Sequence, residues 1–259
     1  MKQFVWLALV FFSFRSGAQD FTQFEKRVFT NAAGDSLPYR ILYPADYDSG
    51  KNYPLVLFLH GAGERGTDNE MQLKHGVYTF LQAEHRANFP CIVIAPQCPK
   101  EDYWANVDVN RSTQPFQLNF NYQQPLRTPL ALALELVRQT IKKEAVDKKR
   151  VYITGLSMGG MGTLEAVNKH PKLFAAAAVV CGAGQVEAFE KKQAKLPMWL
   201  FHGADDLVVS VEHSRAMVDR LQEFGAPLRY TEYDGVKHNS WENAYAEPEL
   251  LPWLFAQKR

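Results

Sequence analysis

The chain has 259 residues, 46% of them hydrophobic and 22% charged, which are ordinary values for a globular protein able to bury one large core. Lys and Arg number 29 against 28 Asp and Glu, a formal net charge of +1, so electrostatics gives no reason to expect nucleic acid or an anionic membrane surface as partner. Three cysteines, Cys91, Cys98 and Cys181, are an odd count at spacings that make neither a disulfide framework nor a metal-ligand pattern.

The N-terminus carries Lys2, an apolar run from Phe4 to Phe14 broken only by Ser13, and then Ser16-Gly17-Ala18. This is the pattern of a secretory signal peptide cut after Ala18, and the run is too short to span a bilayer, so export without a stable membrane anchor is expected. Cleavage would remove Lys2 and Arg15, leaving 27 basic against 28 acidic residues in a single domain, 19–259, with no composition break inside it.

Along that domain, Phe24 to Thr30 and Leu37 to Tyr43 alternate apolar and polar residues around a turn-rich Asn31 to Ser36, which predicts two antiparallel strands at a sheet edge. Tyr53 to Leu59 is continuously apolar, as a strand covered on both faces must be. His60-Gly-Ala-Gly-Glu-Arg-Gly66 follows at its C-terminal end, then a helix around Val77 to His85 and a second buried strand, Cys91 to Ala95. Residues 96–126, rich in Gln, Asn and Pro and carrying Tyr103, Trp104, Phe116, Phe120 and Tyr122, show no regular period; a loop this long points to a partly ordered wall over a site. A helix from Thr128 to Glu144 keeps Leu130, Leu134, Val137 and Ile141 on one face. Beyond Gly160 the pattern predicts a helix to His170, strands at Phe174–Cys181, Leu196–Phe201 and Leu228–Tyr233, a helix at Ser210–Phe224, and one or two helices over 241–257. Buried strands alternating with helices make an α/β protein with a mostly parallel central sheet, helices on both faces and an antiparallel N-terminal edge; ligands of such sheets sit at the carboxyl ends of the strands.

The stretch Val151 to Gly160, Val-Tyr-Ile-Thr-Gly-Leu-Ser-Met-Gly-Gly, places G-x-S-x-G between a β-rich run and a helix, the context in which glycines permit a tight turn with Ser157 at its apex. A serine hydroxyl needs a base to remove its proton and a carboxylate to hold that base. Two later loops stand in the order acid, then base: Phe201-His-Gly-Ala-Asp-Asp-Leu-Val-Val209 supplies Asp205 and Asp206, and Tyr233-Asp-Gly-Val-Lys-His-Asn-Ser-Trp241 supplies His238. Backbone N–H groups of Met158 and Ala62 occupy the two places from which an oxyanion would be held. Glu64, Trp104 and Trp241 flank these loops as substrate-pocket candidates, and His60 and His202, each ending a strand before Gly, are expected to orient neighbours by hydrogen bonding. His75 and His85, in polar surroundings, are expected to face solvent. Cys91 and Cys181 lie in apolar runs as small buried hydrophobes, and Cys98 is the one cysteine for which a bridge is considered.

The blocks Leu59 to Asn69, Ala95 to Pro99, Gly155 to Gly160, Phe201 to Val209 and Gly235 to Trp241 together resemble the α/β-hydrolase superfamily. More narrowly they are similar to secreted esterases of the phospholipase/carboxylesterase and carbohydrate esterase family 1 type, relatives of dienelactone hydrolase and prolyl oligopeptidase catalytic domains, over about residues 37–245. The resemblance implies an α/β-hydrolase fold, places the acid on Asp206 rather than Asp205, and requires no cofactor and no metal. Ser210 and Lys237 depart from the residues usual at their positions, Pro and Gly, without removing a catalytic group. The expected function is serine-based carboxylic-ester hydrolysis through an acyl-enzyme on small or carbohydrate-linked esters. The alternatives are a serine peptidase of the prolyl oligopeptidase type and a non-catalytic binding protein on the same fold.

Overall fold

The computed structural model describes residues 20–259; the signal segment expected at 1–18 lies outside them. Ten strands occur among the described residues: β1 (Glu25–Thr30), β2 (Ser36–Leu42), β3 (Tyr53–Leu59), β4 (Ile92–Pro96), β5 (Val107–Asn110), β6 (Gln117–Phe120), β7 (Val146–Leu156), β8 (Ala176–Val180), β9 (Met198–Gly203) and β10 (Leu228–Tyr233). Eight form one sheet in the order β1-β2-β4-β3-β7-β8-β9-β10. β2 pairs antiparallel with both β1 and β4, and every other neighbouring pair is parallel.

Side-chain alternation along β3 shows why its run is unbroken. Leu55, Leu57 and Leu59 join one buried cluster with Leu130 and Leu134 of α2 (Thr128–Lys143), Leu164 and Val167 of α3 (Met158–Lys169), and Met217 and Leu221 of α4 (Glu212–Gln222). Val56 and Phe58 point the other way, into a cluster with Tyr245 of α5 (Trp241–Ala246) and Leu250 and Leu254 of α6 (Leu250–Ala256). Each face thus meets its own helical layer, and no polar residue fits at any of these positions. Parallel register then brings the functional ends together: Leu59 lies opposite Gly155, Leu156 opposite Val180, Val180 opposite Phe201, and Gly203 opposite Tyr233.

The structure corrects two expectations. The helix expected over Val77–His85 is a 3-10 turn, Val77–Leu81, followed by the six-residue α1 (Ala83–Asn88), because extended backbone at Gln82 interrupts the coil. Residues 96–126 are more regular than expected. β5 and β6 pair as an antiparallel hairpin, Val107 opposite Phe120 and Val109 opposite Leu118, whose apolar side packs on Met161 and Val209. Its base is tied to α3: buried Glu165 accepts from the backbone N–H of Asn106 at 2.6 Å and from its side-chain amide at 2.7 Å. Its tip is tied to the segment after β9, where Phe116 N–H donates to the Val208 carbonyl at 3.0 Å. All three cysteines are buried free thiols, Cys98 included.

Candidate active site

Ser157 sits between β7 and α3 with φ +53° and ψ −117°, a left-handed conformation that costs a non-glycine residue about 1–3 kcal/mol. Its neighbours hold it there: Ser157 N–H donates to Val180 O at 2.9 Å, and its own carbonyl accepts from Met161 N–H at 3.0 Å. A Cβ at Gly159 would lie 1.9 Å from the Leu59 carbonyl oxygen, so only glycine lets the start of α3 press against the end of β3. The turn therefore lifts the hydroxyl away from the backbone, as the G-x-S-x-G context predicts.

The hydroxyl meets the predicted base. Ser157 Oγ lies 2.9 Å from His238 Nε2, and His238 Nδ1 lies 2.7 Å from Asp206 Oδ2. The sequence left Asp205 and Asp206 open, with the resemblance favouring the second; Asp205 is exposed, whereas Asp206 is 4% exposed and faces the histidine. Asp206 Oδ1 accepts from the N–H groups of Val208 at 2.8 Å and Val209 at 3.0 Å. Burial alone would push its carboxyl pKa up, but hydrogen bonds from His202 and His238 outweigh that and hold it well below the usual carboxylate range. With Asp206 ionised, His238 carries its proton on Nδ1 and presents Nε2 as the acceptor for the serine hydroxyl. His202 has the orienting place expected of it, with Nδ1 2.7 Å from Ser214 Oγ and Nε2 2.9 Å from Val209 O and 3.2 Å from Asp206 Oδ2. The acid and base loops also touch directly, since a Cβ at Gly203 would lie 2.3 Å from the carbonyl oxygens of both Val236 and Lys237.

Met158 and Ala62, the two residues whose backbone N–H groups are candidates for holding an oxyanion, line the same cavity as Ser157. Met158 opens α3, where first-turn N–H groups have no partner inside the helix and carry its positive end. Ala62 opens a 3-10 turn, Ala62–Glu64, directly after β3. His60 sets the orientation of that second donor. Its Nε2 accepts from Cys98 N–H at 3.0 Å, so the ring proton is on Nδ1, which donates to Gly61 O at 2.6 Å. That carbonyl belongs to the same peptide plane as the Ala62 N–H and points the opposite way, so gripping one end aims the other. Trp104 packs behind, its indole N–H donating to His60 O at 3.1 Å.

His60 is fully enclosed, and burial pulls its pKa down to about 4. The unfolded chain, with a histidine pKa near 6.5, takes up this proton first, so folding stability falls as pH drops from about 6.5 to about 4, by up to about 3 kcal/mol. Urea unfolding at pH 7 and pH 4.5 is expected to show this loss in the wild type and a shallower one in His60→Gln; equal slopes would exclude His60 as its source.

A cavity of about 240 Å³ opens over Ser157 and His238. Of the three pocket candidates, Glu64 and Trp241 line it, together with Ala62 and Met158, but Trp104 does not: it is 0% exposed and acts behind the wall, through His60. His75, expected in solvent, also lines the cavity, with Nε2 3.8 Å from Glu64 Oε1. Tyr103 and Phe116, aromatics of the expected wall, line it too, and so do Val109 and Leu118 of the hairpin, which the sequence did not single out. The signal for the hairpin was the pair Val-Asp-Val-Asn and Gln-Leu-Asn-Phe, whose apolar positions fall on one side when the two runs are paired antiparallel. Among the described residues no group of three or more His, Cys, Asp or Glu side chains is arranged to hold a metal ion.

Residues 47–247 match the family model described as phospholipase/carboxylesterase. The carboxylesterase SOBER1 of Arabidopsis thaliana is 28% identical over 195 residues, which cover 71% of this chain and 82% of that protein. The crystal structure of a thermostable esterase aligns with a TM-score of 0.83 at 39% identity, covering 92% of this chain and 64% of that one, so this chain spans a little under two thirds of its length. A ferulic acid esterase from Anaeromyces mucronatus shares the fold, with a TM-score of 0.62 at 15% identity over 89% of this chain and 92% of that one. With most of its length matched to one family model and its parallel sheet shared with esterases, the chain belongs to the phospholipase/carboxylesterase family, as a hydrolase of the α/β-hydrolase fold.

Proposed function

We propose that this protein is a serine carboxylic-ester hydrolase that works through an acyl-enzyme, exported after cleavage near Ala18, and acting on small or carbohydrate-linked esters. The observation that carries the reading is the unbroken relay from Ser157 Oγ to His238 Nε2 at 2.9 Å and from His238 Nδ1 to Asp206 Oδ2 at 2.7 Å. Ser157 Oγ attacks the ester carbonyl while His238 takes its proton; the C–O bond to the alcohol breaks, and His238 returns the proton to the departing oxygen. Water repeats the sequence on the acyl-serine and releases the acid. Met158 and Ala62 N–H groups hold the negative oxygen of both tetrahedral intermediates, each such donor being worth about two to three powers of ten in rate. No step calls on a cofactor.

The near-neutral charge and the apolar cavity wall of Val109, Leu118, Met161 and Val209 support uncharged ester substrates, with the Arg111 guanidinium of the same lining engaged by Tyr103 Oη at 2.8 Å. Hydrolysis of p-nitrophenyl acetate and butyrate, with stoichiometric labelling of Ser157 by a fluorophosphonate, is the expected result. Absence of labelling in folded protein would return the chain to a binding role, and cleavage of proline-containing peptide amides without esterase activity would favour a peptidase.

A further inference from the structure

Glu64 is a buried carboxyl that the relay does not use. The residue is 6% exposed, lines the same cavity as Ser157, and makes no hydrogen bond to another side chain among the described residues. Burial pushes its pKa up, with His75, Lys74 and the backbone N–H groups of Gly61 and Glu64 offsetting part of the penalty. Those backbone groups meet the carboxyl from the protein side, and its side towards the cavity is left for a polar group of the substrate. Its nearest ionisable partner, His75 Nε2, is 3.8 Å from Oε1, too far for a direct hydrogen bond and within the span that one hydroxyl can bridge.

The contacts also say which part of an ester reaches this corner. The alcohol oxygen must leave beside His238, because that ring returns the proton. The His238 ring packs edge-on against Trp241 with centroids 5.4 Å apart, and Trp241 packs against His75 at 5.3 Å. The line His238, Trp241, His75, Glu64 therefore runs away from the base on the leaving-group side. Met161, Val208, Val209 and the hairpin side chains Val109 and Leu118 form a separate apolar wall, suited to the acyl part.

Resting on the ester-hydrolase reading, we propose that Glu64 and His75 form a leaving-group subsite that recognises a free hydroxyl on the alcohol part of the ester, as in a glycerol or sugar unit. A hydroxyl donates to one of the pair and accepts from the other, which an alkyl chain cannot do and a quaternary ammonium can do only by charge.

The test compares kcat/KM for four acetates, 1-monoacetylglycerol, 6-O-acetylglucose, propyl acetate and acetylcholine, in wild type, Glu64→Gln, Glu64→Leu and His75→Phe. Wild type is expected to prefer one or both hydroxyl-bearing acetates over propyl acetate by about 10- to 100-fold, the scale of one hydrogen bond to a charged group. Which of the two is preferred separates a glycerol source from a carbohydrate one. Glu64→Leu and His75→Phe are expected to collapse that ratio towards one, and Glu64→Gln, which keeps a donor and an acceptor, to retain part of it. Because Glu64 shares a turn with Ala62, the ratio is the readout: damage to the oxyanion donors lowers all four rates alike and leaves it unchanged. A wild-type ratio near one, an unchanged ratio in Glu64→Leu, or a preference for acetylcholine would overturn the subsite. Loss of all four activities in the wild type would instead overturn the esterase reading beneath it.

Discussion

Ser157→Ala is expected to lower kcat for p-nitrophenyl butyrate by about 10⁶ while leaving the fold intact, the scale seen when the nucleophile of a serine triad is removed. The fold should survive because alanine keeps the Cβ that already stands at φ +53°, so the strain at the turn is the same in both proteins. The Val180 and Met161 hydrogen bonds that hold the turn are made by backbone atoms and do not depend on the hydroxyl. Residual hydrolysis of about 10³–10⁴ over water is expected from the oxyanion donors and binding alone. Equal rates in wild type and variant, measured on protein with unchanged circular dichroism, would remove Ser157 from the chemistry.

Asp206→Asn is expected to cost about 10⁴ in kcat, because an amide cannot satisfy both sides of this position. The carboxylate is an acceptor throughout: Oδ1 takes two N–H groups, from Val208 and Val209, and Oδ2 takes His238 at 2.7 Å and His202 at 3.2 Å. If the asparagine NH₂ faces His238, it donates to Nδ1, moves the ring proton to Nε2, and leaves Ser157 without a base. If it faces the other way, two backbone donors meet a donor inside a buried loop, at a cost of about 1–3 kcal/mol for the unsatisfied groups. A steady-state assay against pH together with a thermal melt separates the two: the first outcome lowers kcat with little change in Tm, and the second lowers both. A loss below tenfold would mean that the carboxylate does not set the tautomer.

The sheet is legible in the sequence where a strand is buried on both faces, as β3 is, or closed off by turn residues, as the half-exposed edge strand β10 is. Tyr53–Leu59 and Leu228–Tyr233 are found at their predicted limits, since the layers above and below leave no room for polar residues in β3 and turn residues bound β10. Ser157 and His238 are readable for a different reason, as chemistry restricts each role to a few residue types at the ends of successive strands, whereas Asp205 and Asp206 carry the same chemistry side by side, and it is burial that separates them. The cavity was harder to read. β5 and β6 are four residues each, paired only with one another, and rich in Asn, Asp and Gln, so their local preference is weak and their pairing is decided by packing on Met161 and Val209. Trp104 reads as a pocket aromatic because it lies in that loop; only the fold brings its indole to the His60 carbonyl. His75 has polar neighbours along the chain and Glu64 and Trp241 in space.

The double fastening of the hairpin, to Glu165 at its base and to the Val208 carbonyl at its tip, bears on how this scaffold could be diversified. The second clasp is backbone to backbone, and Val208 lies two residues beyond Asp206, so the element that lines the cavity also steadies the loop carrying Asp206. A library that varies only the cavity-lining positions Val109 and Leu118 between the clasps would recast the cavity wall while leaving the acid loop in place. Shortening or lengthening the hairpin would instead shift the acid loop, and altered selectivity would then arrive together with a slower enzyme.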